Sequence, residues 1–268
     1  MEIFALLLWI FIGLLFGLMG AGGSILTLPI LVYLFRIDVS TATLYSLFIV
    51  GTTSLLGAFS YMRQGLFDRK AALDFGLPSI VAVVVTKMCI DPIIPAVFFT
   101  FGGKEFTKAT FLMCLLSVIM LTSSYRIIRD RYSRVRKEEP DVVAHHSQKL
   151  TMNGILVGVL SGLIGIGGGF LIIPALILFC KLPIKQAVGT SLTIIAVQSL
   201  AGFLSGYRAQ PVNWSLILPI TSVAILGVIL GTALSKQVDA ERLKIGLGWF
   251  IGITAFFIIA QETILKTV

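Results

Sequence analysis

The segment Gly17 to Pro29, GLMGAGGSILTLP, returns at Gly162 to Pro174 as GLIGIGGGFLIIP, 145 residues later. Compared without a gap, Gly17 to Arg63 and Gly162 to Arg208 agree at 17 of 47 positions. The matches include Gly20/Gly165, Gly22/Gly167, Gly23/Gly168, Pro29/Pro174, Ser46/Ser191, Gly57/Gly202 and Arg63/Arg208. A shared apolar composition does not put glycines in register. Repeated halves whose corresponding apolar segments are broken by Gly are the sequence pointer to a secondary transporter with its site where the halves meet.

With 57% hydrophobic and 13% charged residues, the 268-residue chain is more apolar and far less charged than soluble domains. It reads as an integral membrane protein. The N-terminus MEIFALLLWIFIGLLFG lacks a basic n-region and runs into the first glycine element, so it reads as a retained segment rather than a signal. The net charge of +8 sits at segment ends and in one loop, as membrane orientation requires, so no nucleic-acid partner is expected. Cys89, Cys114 and Cys180 are isolated in apolar context, which predicts small buried hydrophobes rather than a disulfide framework or a metal site.

Apolar stretches fall at 3–20, 24–35, 40–62, 72–98 and 109–125, then at 151–166, 168–180, 186–206, 214–235 and 244–261. There are five in each half. Stretches 24–35 and 168–180 are shorter than the roughly 20 residues that span a bilayer, and each follows a glycine element, which suits re-entrant or half-spanning helices. The expected fold is all-α and polytopic: a first membrane repeat at 1–125, a cytoplasmic linker at 126–149 and a second repeat at 150–268. If each short segment returns the chain to the side its predecessor left, Lys and Arg divide 15 to 5, with Lys87 in the membrane; otherwise they divide 12 to 8. The positive-inside rule selects the first threading, with the 126–149 loop cytoplasmic and both termini outside. An odd number of crossings per half makes the repeats inverted, and the glycine elements are expected to approach the bilayer midplane from opposite sides.

Backbone that leaves its helix inside hydrocarbon must be satisfied by protein, cavity water or a solute. Helices expected to start near Ser24 and Gly169 have free N–H groups at the positive end of the helix dipole, and Gly lets a ligand reach the backbone. Gly20, Gly22, Gly23, Ser24, Gly165, Gly167, Gly168 and Gly169 are therefore candidate substrate-binding residues. Polar positions on the next apolar helix, Ser46 and Thr53 in one half and Thr190, Ser191 and Gln198 in the other, are candidates to complete an anion cage. Ordinary interhelical hydrogen bonds are the competing role for each. Gly13/Gly17 and Gly227/Gly231 have small-xxx-small spacing and read as packing contacts. Lys87 and Asp91, four apart, are a possible charge or coupling pair. The chain has no HExxH, nucleophile elbow, P-loop or Cys/His cluster, and both histidines, His145 and His146, lie in the linker. Neither an enzyme nor a cofactor is expected.

The doubled GxxGxGG element, its following xxxP and the helix start Gly189-Thr190-Ser191 resemble the TauE/SafE-type sulfite exporter family, of the 4-toluene sulfonate uptake permease group. The resemblance covers nearly the whole chain outside 126–149. It implies a bacterial-type inner-membrane protein that moves small sulfur-containing anions such as sulfite, thiosulfate or organosulfonates by alternating access. The half-sites are unequal, with Ser24 against Gly169, Tyr45 against Thr190 and Thr86-Lys87 where the second half has its Gly227/Gly231 pair. A passive channel lined by the same loops, or a non-transporting scaffold with glycines only for packing, are the alternatives.

Overall fold

The computed structural model describes residues 2–20, 22–90, 93, 97–101, 104–129, 147–164, 169–207 and 212–260. In the first half, α1 is Glu2–Met19 and α2 is Gly22–Pro29, extended by a π-helical turn at Ile30–Leu34. The long α3 is Val39–Arg63. Helix α4 runs over 69–90, with π-helical turns at Ala72–Gly76 and Thr86–Ile90 on either side of Leu77–Val85, and α5 is Lys108–Arg129. The second half repeats the series as α6 (Ser147–Ile164), α7 (Gly169–Phe179), α8 (Ile184–Gly206), α9 (Trp214–Leu234) and α10 (Ala240–Ala260). Each expected apolar stretch carries a helix.

The architecture is all-α as expected, interrupted by one short antiparallel hairpin between α4 and α5, in which β1 (Val97–Phe101) pairs with β2 (Lys104–Thr107). The stretch expected at 72–98 accordingly stops being helical at Ile90, beside the helix-breaking Pro92 and Pro95. The linker is also shorter than 126–149 at both ends, since α5 reaches Arg129 and α6 starts at Ser147. Residues 130–146, with both histidines, lie outside the described part.

The repeat extends to local backbone detail. Both short helices end on a basic residue in the left-handed region, Arg36 at φ 54° and Lys181 at φ 51°. In each, the next amide closes a seven-residue turn back to the helix, Ile37 N to Leu31 O at 3.1 Å and Leu182 N to Leu176 O at 3.3 Å. A basic side chain there also complements the negative end of the helix dipole. Asp68 and Asn213 cap α4 and α9 by accepting from Ala71 N at 2.8 Å and Leu216 N at 3.3 Å.

The halves pack reciprocally. Helix α1 lies along α9, and its counterpart α6 lies along α4. Both pairs are glycine-mediated and run parallel: Gly13 abuts Ala224 and Gly227, and Gly17 abuts Val228 and Gly231, while Gly154, Gly158 and Gly162 meet Phe75, Ser79 and Thr86. Close backbone approach through small residues is how helices adhere without a hydrophobic drive between them. The centre is the pair α3 and α8, whose most apolar windows are 72% buried against 44% for α9. Their facing residues run in opposite directions, Leu44 with Gly206, Leu47 with Gly202, Gly51 with Leu200 and Gly57 with Leu192. Buried Trp9, Phe16, Leu28, Leu31, Tyr61, Phe75, Leu176 and Ile195 belong to one continuous core around this crossing.

Among the described residues, Val39–Arg63, Ile184–Gly206 and Trp214–Leu234 are long and apolar enough to cross a membrane, and Leu6–Met19, Leu150–Leu163 and Gly248–Ala260 are shorter apolar helices. Leu7, Phe11, Val118, Ile155, Leu204, Leu230, Ile253 and Phe256 remain exposed on the outer faces. A soluble domain of this size does not expose so much aliphatic and aromatic surface, and hydrocarbon solvates it. The protein is a multi-pass membrane protein.

Candidate functional site

The first glycine element forms a sharp elbow. Gly20 has φ +71° and its N–H bonds to Phe16 O at 2.8 Å, so it ends α1 as a left-handed cap before α2 begins at Gly22. A Cβ at Gly20 would stand 2.8 Å from Val188 Cγ1, 3.2 Å from Ile173 Cδ1 and 3.4 Å from Ser191 Oγ. The elbow of one half is thus seated against α7 and α8 of the other. Gly22, Gly23 and Ser24 make the first turn of α2, whose amides lack intrahelical acceptors, and Gly169 opens α7 in the same way. Gly165, Gly167 and Gly168 lie outside the described residues, as does Asp91; the backbone of Lys87 lies in the turn Thr86–Ile90.

Facing numbers on α3 and α8 place the crossing between Gly51 with Leu200 and Gly57 with Leu192, level with Thr53 and Gln198. These two are equivalent under the 145-residue offset. Gly20, at Val188 and Ser191, stands about 10 Å from that level along α8, given a rise of about 1.5 Å per residue over the seven residues to Gln198. The elbow is therefore two helical turns away from the crossing, where the sequence led one to expect it at the centre. The physical reason is that α1, with 18 residues, reaches about 27 Å and nearly spans the hydrocarbon before it turns.

The polar candidates separate into satisfied and unsatisfied groups. Thr53 Oγ1 donates to Ile49 O at 2.6 Å, and Ser191 Oγ to Val188 O at 2.8 Å, both within their own helices. Thr190 Oγ1 accepts from Asp68 N at 2.9 Å, matched by Tyr45 Oη accepting from Asn213 N at 3.0 Å. These two bonds are equivalent under the repeat, and each ties the centre of one half to the helix cap of the other. Ser46 Oγ and both amide atoms of Gln198 are fully buried without any hydrogen-bond partner.

Four further buried hydroxyls, on Ser79, Thr86, Ser161 and Ser199, are also unpartnered. The sequence gives little warning of them, since Ser and Thr in apolar helices ordinarily bond back to the preceding turn, as Thr221 does to Ile217 O at 2.7 Å. The usable signal was the asymmetry at Thr86 against Gly231.

Of the cysteines, only Cys180 is the buried hydrophobe expected; Cys89 and Cys114 are exposed. In the α7–α8 loop, burial pushes the Cys180 thiol up to about 11, with Asp68 and Asp74 adding to the effect. Among the described residues no His, Cys, Asp and Glu group is arranged to hold a metal ion.

Residues 5–258 match the model of the family described as Sulfite exporter TauE/SafE. A protein named Probable membrane transporter protein from Xylella fastidiosa is 29% identical over 235 residues, covering 86% of this chain and 84% of its own. One of the same name from Methanocaldococcus jannaschii is 28% identical, covering 92% and 91%. Probable membrane transporter protein YunE of Bacillus subtilis is 27% identical, covering 85% and 86%. No solved structure matches the chain.

Proposed function

The chain belongs to the sulfite exporter TauE/SafE family, and from that premise we propose that it is a secondary carrier of small sulfur-containing anions, working by alternating access of two inverted repeats. The observation that carries the reading is the antiparallel crossing of α3 and α8, equivalent helices of the two halves. A two-fold operation that reverses a helix has its axis perpendicular to that helix, hence in the membrane plane when the helix spans. Such symmetry lets one rocking motion exchange the exposure of a central site between the two faces. The parallel pairs α1/α9 and α4/α6 fit the same operation, each being the image of the other.

In this carrier the elbow at Gly20 to Ser24, with Ser191 beside it, lines one approach, Gly165 to Gly169 being its equivalent in the sequence of the other half, and Gln198 and Thr53 lie at the centre. Free amides at the starts of α2 and α7 attract negative charge without a fixed cation, so the anion leaves as readily as it enters. The linker between α5 and α6 is cytoplasmic and the termini lie outside, in keeping with the 15 to 5 division of Lys and Arg.

Purified protein in sealed vesicles, loaded with unlabelled sulfite, thiosulfate or an alkanesulfonate, is expected to show saturable uptake and counterflow of the labelled anion. Uptake that grows linearly with concentration, without counterflow, identifies a channel. No flux for any of the three overturns the transport reading.

A further inference from the structure

The two equivalent helix junctions differ in their unpartnered polar groups: among the described residues Gln198, Ser79, Thr86 and Ser161 gather at one, while the helices of the other, α1, α3 and α9, carry only Trp9 Nε1 and Ser46 Oγ. On α8, Ile194, Gln198 and Gly202 are spaced four apart and share one face. Ile194 touches α4 at Gly76, where a Cβ would come within 2.7 Å of Ile194 Cγ1, and Gly202 faces α4 at Val83, 3.9 Å from its Cγ1. Gln198 lies between these contacts and so faces α4 at the level of Ser79. Ser79 lies on the part of α4 that α6 packs against, at Gly158, and Thr86 lies two turns on, at Gly162 beside Ser161. Gln198, Ser79, Thr86 and Ser161 are each at most 3% exposed, and none of their side-chain polar atoms has a hydrogen-bond partner.

These contacts put Gln198 and Ser79 at one level of the α4/α8 contact, and neither bonds to the other. An unpartnered primary amide in a helical core forfeits about 1–3 kcal/mol for each group left bare, and a helix bundle has no reason to keep several such groups in one place unless something else satisfies them. The equivalent positions of the other junction are Thr53, Ala224, Gly231 and Phe16. Three of those have no side-chain polar atom, and the fourth, Thr53, is satisfied by its own helix. The polar junction is therefore not a by-product of the repeat.

We propose that the α4/α6/α8 junction, with Gln198 and Ser79 at one level and Thr86 and Ser161 beyond, is the carrier's anion site, and that it takes a singly charged oxyanion retaining one hydrogen, of the hydrogensulfite type. This rests on the transport reading above and narrows it. All four groups are uncharged. The Born penalty for taking an ion out of water grows with the square of its charge, so uncharged donors hold a monoanion where they fail to hold a dianion. The amide also offers an acceptor, Gln198 Oε1, which repels a fully deprotonated oxyanion and is satisfied by one that still carries a hydrogen. The same donors release such a ligand easily, having formed no ion pair with it.

The test is labelled sulfite counterflow in vesicles at pH 6 and pH 8, for the wild type, Gln198→Leu, Gln198→Asn and Ser79→Ala, with thermal melting of each purified protein. The expected wild-type rate at fixed total sulfite follows the hydrogensulfite fraction and is higher at pH 6, and sulfate does not compete. Gln198→Leu is expected to raise the half-saturating concentration about ten-fold or more, with Ser79→Ala in the same direction, while both melt at or above the wild-type temperature because a bare polar group has been removed. Gln198→Asn, which keeps the amide one methylene shorter, supplies the reading if the Leu variant does not fold. Wild-type counterflow that these variants leave unchanged overturns the junction site alone. A rate that follows the dianion overturns the choice of ligand. Vesicles in which the wild type moves no anion overturn the transport reading, and this site with it.

Discussion

Where α1 meets α9, glycine faces glycine: Gly13 and Gly17 press against Gly227 and Gly231, and backbone touches backbone. Where α6 meets α4, the equivalent Gly158 and Gly162 face Ser79, Ala82 and Thr86. The backbone plan is the same, but one junction is closed backbone to backbone, with Trp9 Nε1 and Ser46 Oγ the unpartnered atoms of its helices among the described residues, while the other gathers three hydroxyls and an amide with no partners. Duplication set the architecture, and divergence at a handful of positions on one side made it chemically one-sided. Two-fold symmetry in the frame is what rocking needs; an asymmetric lining is what binding one small, asymmetric ion needs.

The sharpest way to break the comparison is to load each seam with a side chain, a large one where backbone faces backbone and a single methyl where a side chain faces it. At Gly227 an added Cβ runs into Ile10 O and stands 2.9 Å from Gly13 Cα, contacts that no side-chain rotation relieves. Gly227→Leu is expected to cost at least about 3 kcal/mol and to leave little folded protein on size-exclusion chromatography. At Gly162 the nearest obstacle is the Thr86 side chain, its Cβ at 2.8 Å and Cγ2 at 3.0 Å. Gly162→Ala is expected to cost about 1 kcal/mol, seen as a fall of a few degrees in melting temperature, with folding intact. Gly227→Ala, the same methyl at the backbone seam, is expected to cost more than Gly162→Ala, and equal losses for these two would mean that the seams are equally rigid.

A smaller effect tests the polarity difference directly. Ala224 of α9 is the counterpart of Ser79, and Ala224→Ser introduces the same hydroxyl into the closed junction. The new hydroxyl bonds to its own preceding turn, as Thr221 and Ser222 of that helix already do at 2.7 and 2.8 Å. Sulfite flux is expected to stay within about two-fold of wild type, since the change costs a few tenths of a kcal/mol at most. A ten-fold change in flux would mean that both junctions bind.

The reciprocal bonds of Tyr45 and Thr190 ask whether the halves are also matched in energy. Tyr45→Phe removes the acceptor of Asn213 N, and Thr190→Val that of Asp68 N. Each is expected to lower stability by about 1 kcal/mol, and by similar amounts, in denaturant or thermal unfolding. A clear inequality would show which half carries the fold.

The ten helices among the described residues were legible because the glycines, prolines and apolar runs that place them are short-range signals, and the repeat let each half check the other. The hairpin at 97–107 was not, since FFTF reads as one more apolar run and its partner strand Lys104–Thr107 carries no alternating pattern. Gly20 was legible as a break but not as a left-handed cap, and the residue count of α1 had to be laid against α8 before its distance from the centre emerged. Ser46 and Gln198 stood out in the sequence as polar residues in apolar helices. Ser79, Thr86 and Ser161 did not, because an unpartnered hydroxyl differs from a back-bonded one only through which neighbours surround it, and those neighbours come from helices far away in the sequence, 119 residues for Ser79 and Gln198.

The smallest effect concerns the loop that joins the short helix of the second half to the crossing helix. Cys180 occupies the place of Phe35, and its thiol is held at about 11 against an ordinary 9.0, chiefly by burial, with Asp68 and Asp74 nearby. The sign follows from linkage. Because the folded chain resists forming the thiolate, its favourable contribution is complete below pH 9 and is lost as pH rises from there towards 11, where the unfolded chain releases its proton first. Wild-type melting is expected to decline between pH 9 and pH 10.5 more than that of Cys180→Ala, by about 1 kcal/mol at most. First-half substitutions at Phe35 are expected to leave this alkaline limb untouched, because that half has no thiol at the equivalent turn. Matching alkaline profiles for wild type and Cys180→Ala would place the loss of stability elsewhere, with the lysines at the ends of the helices as the next groups to titrate.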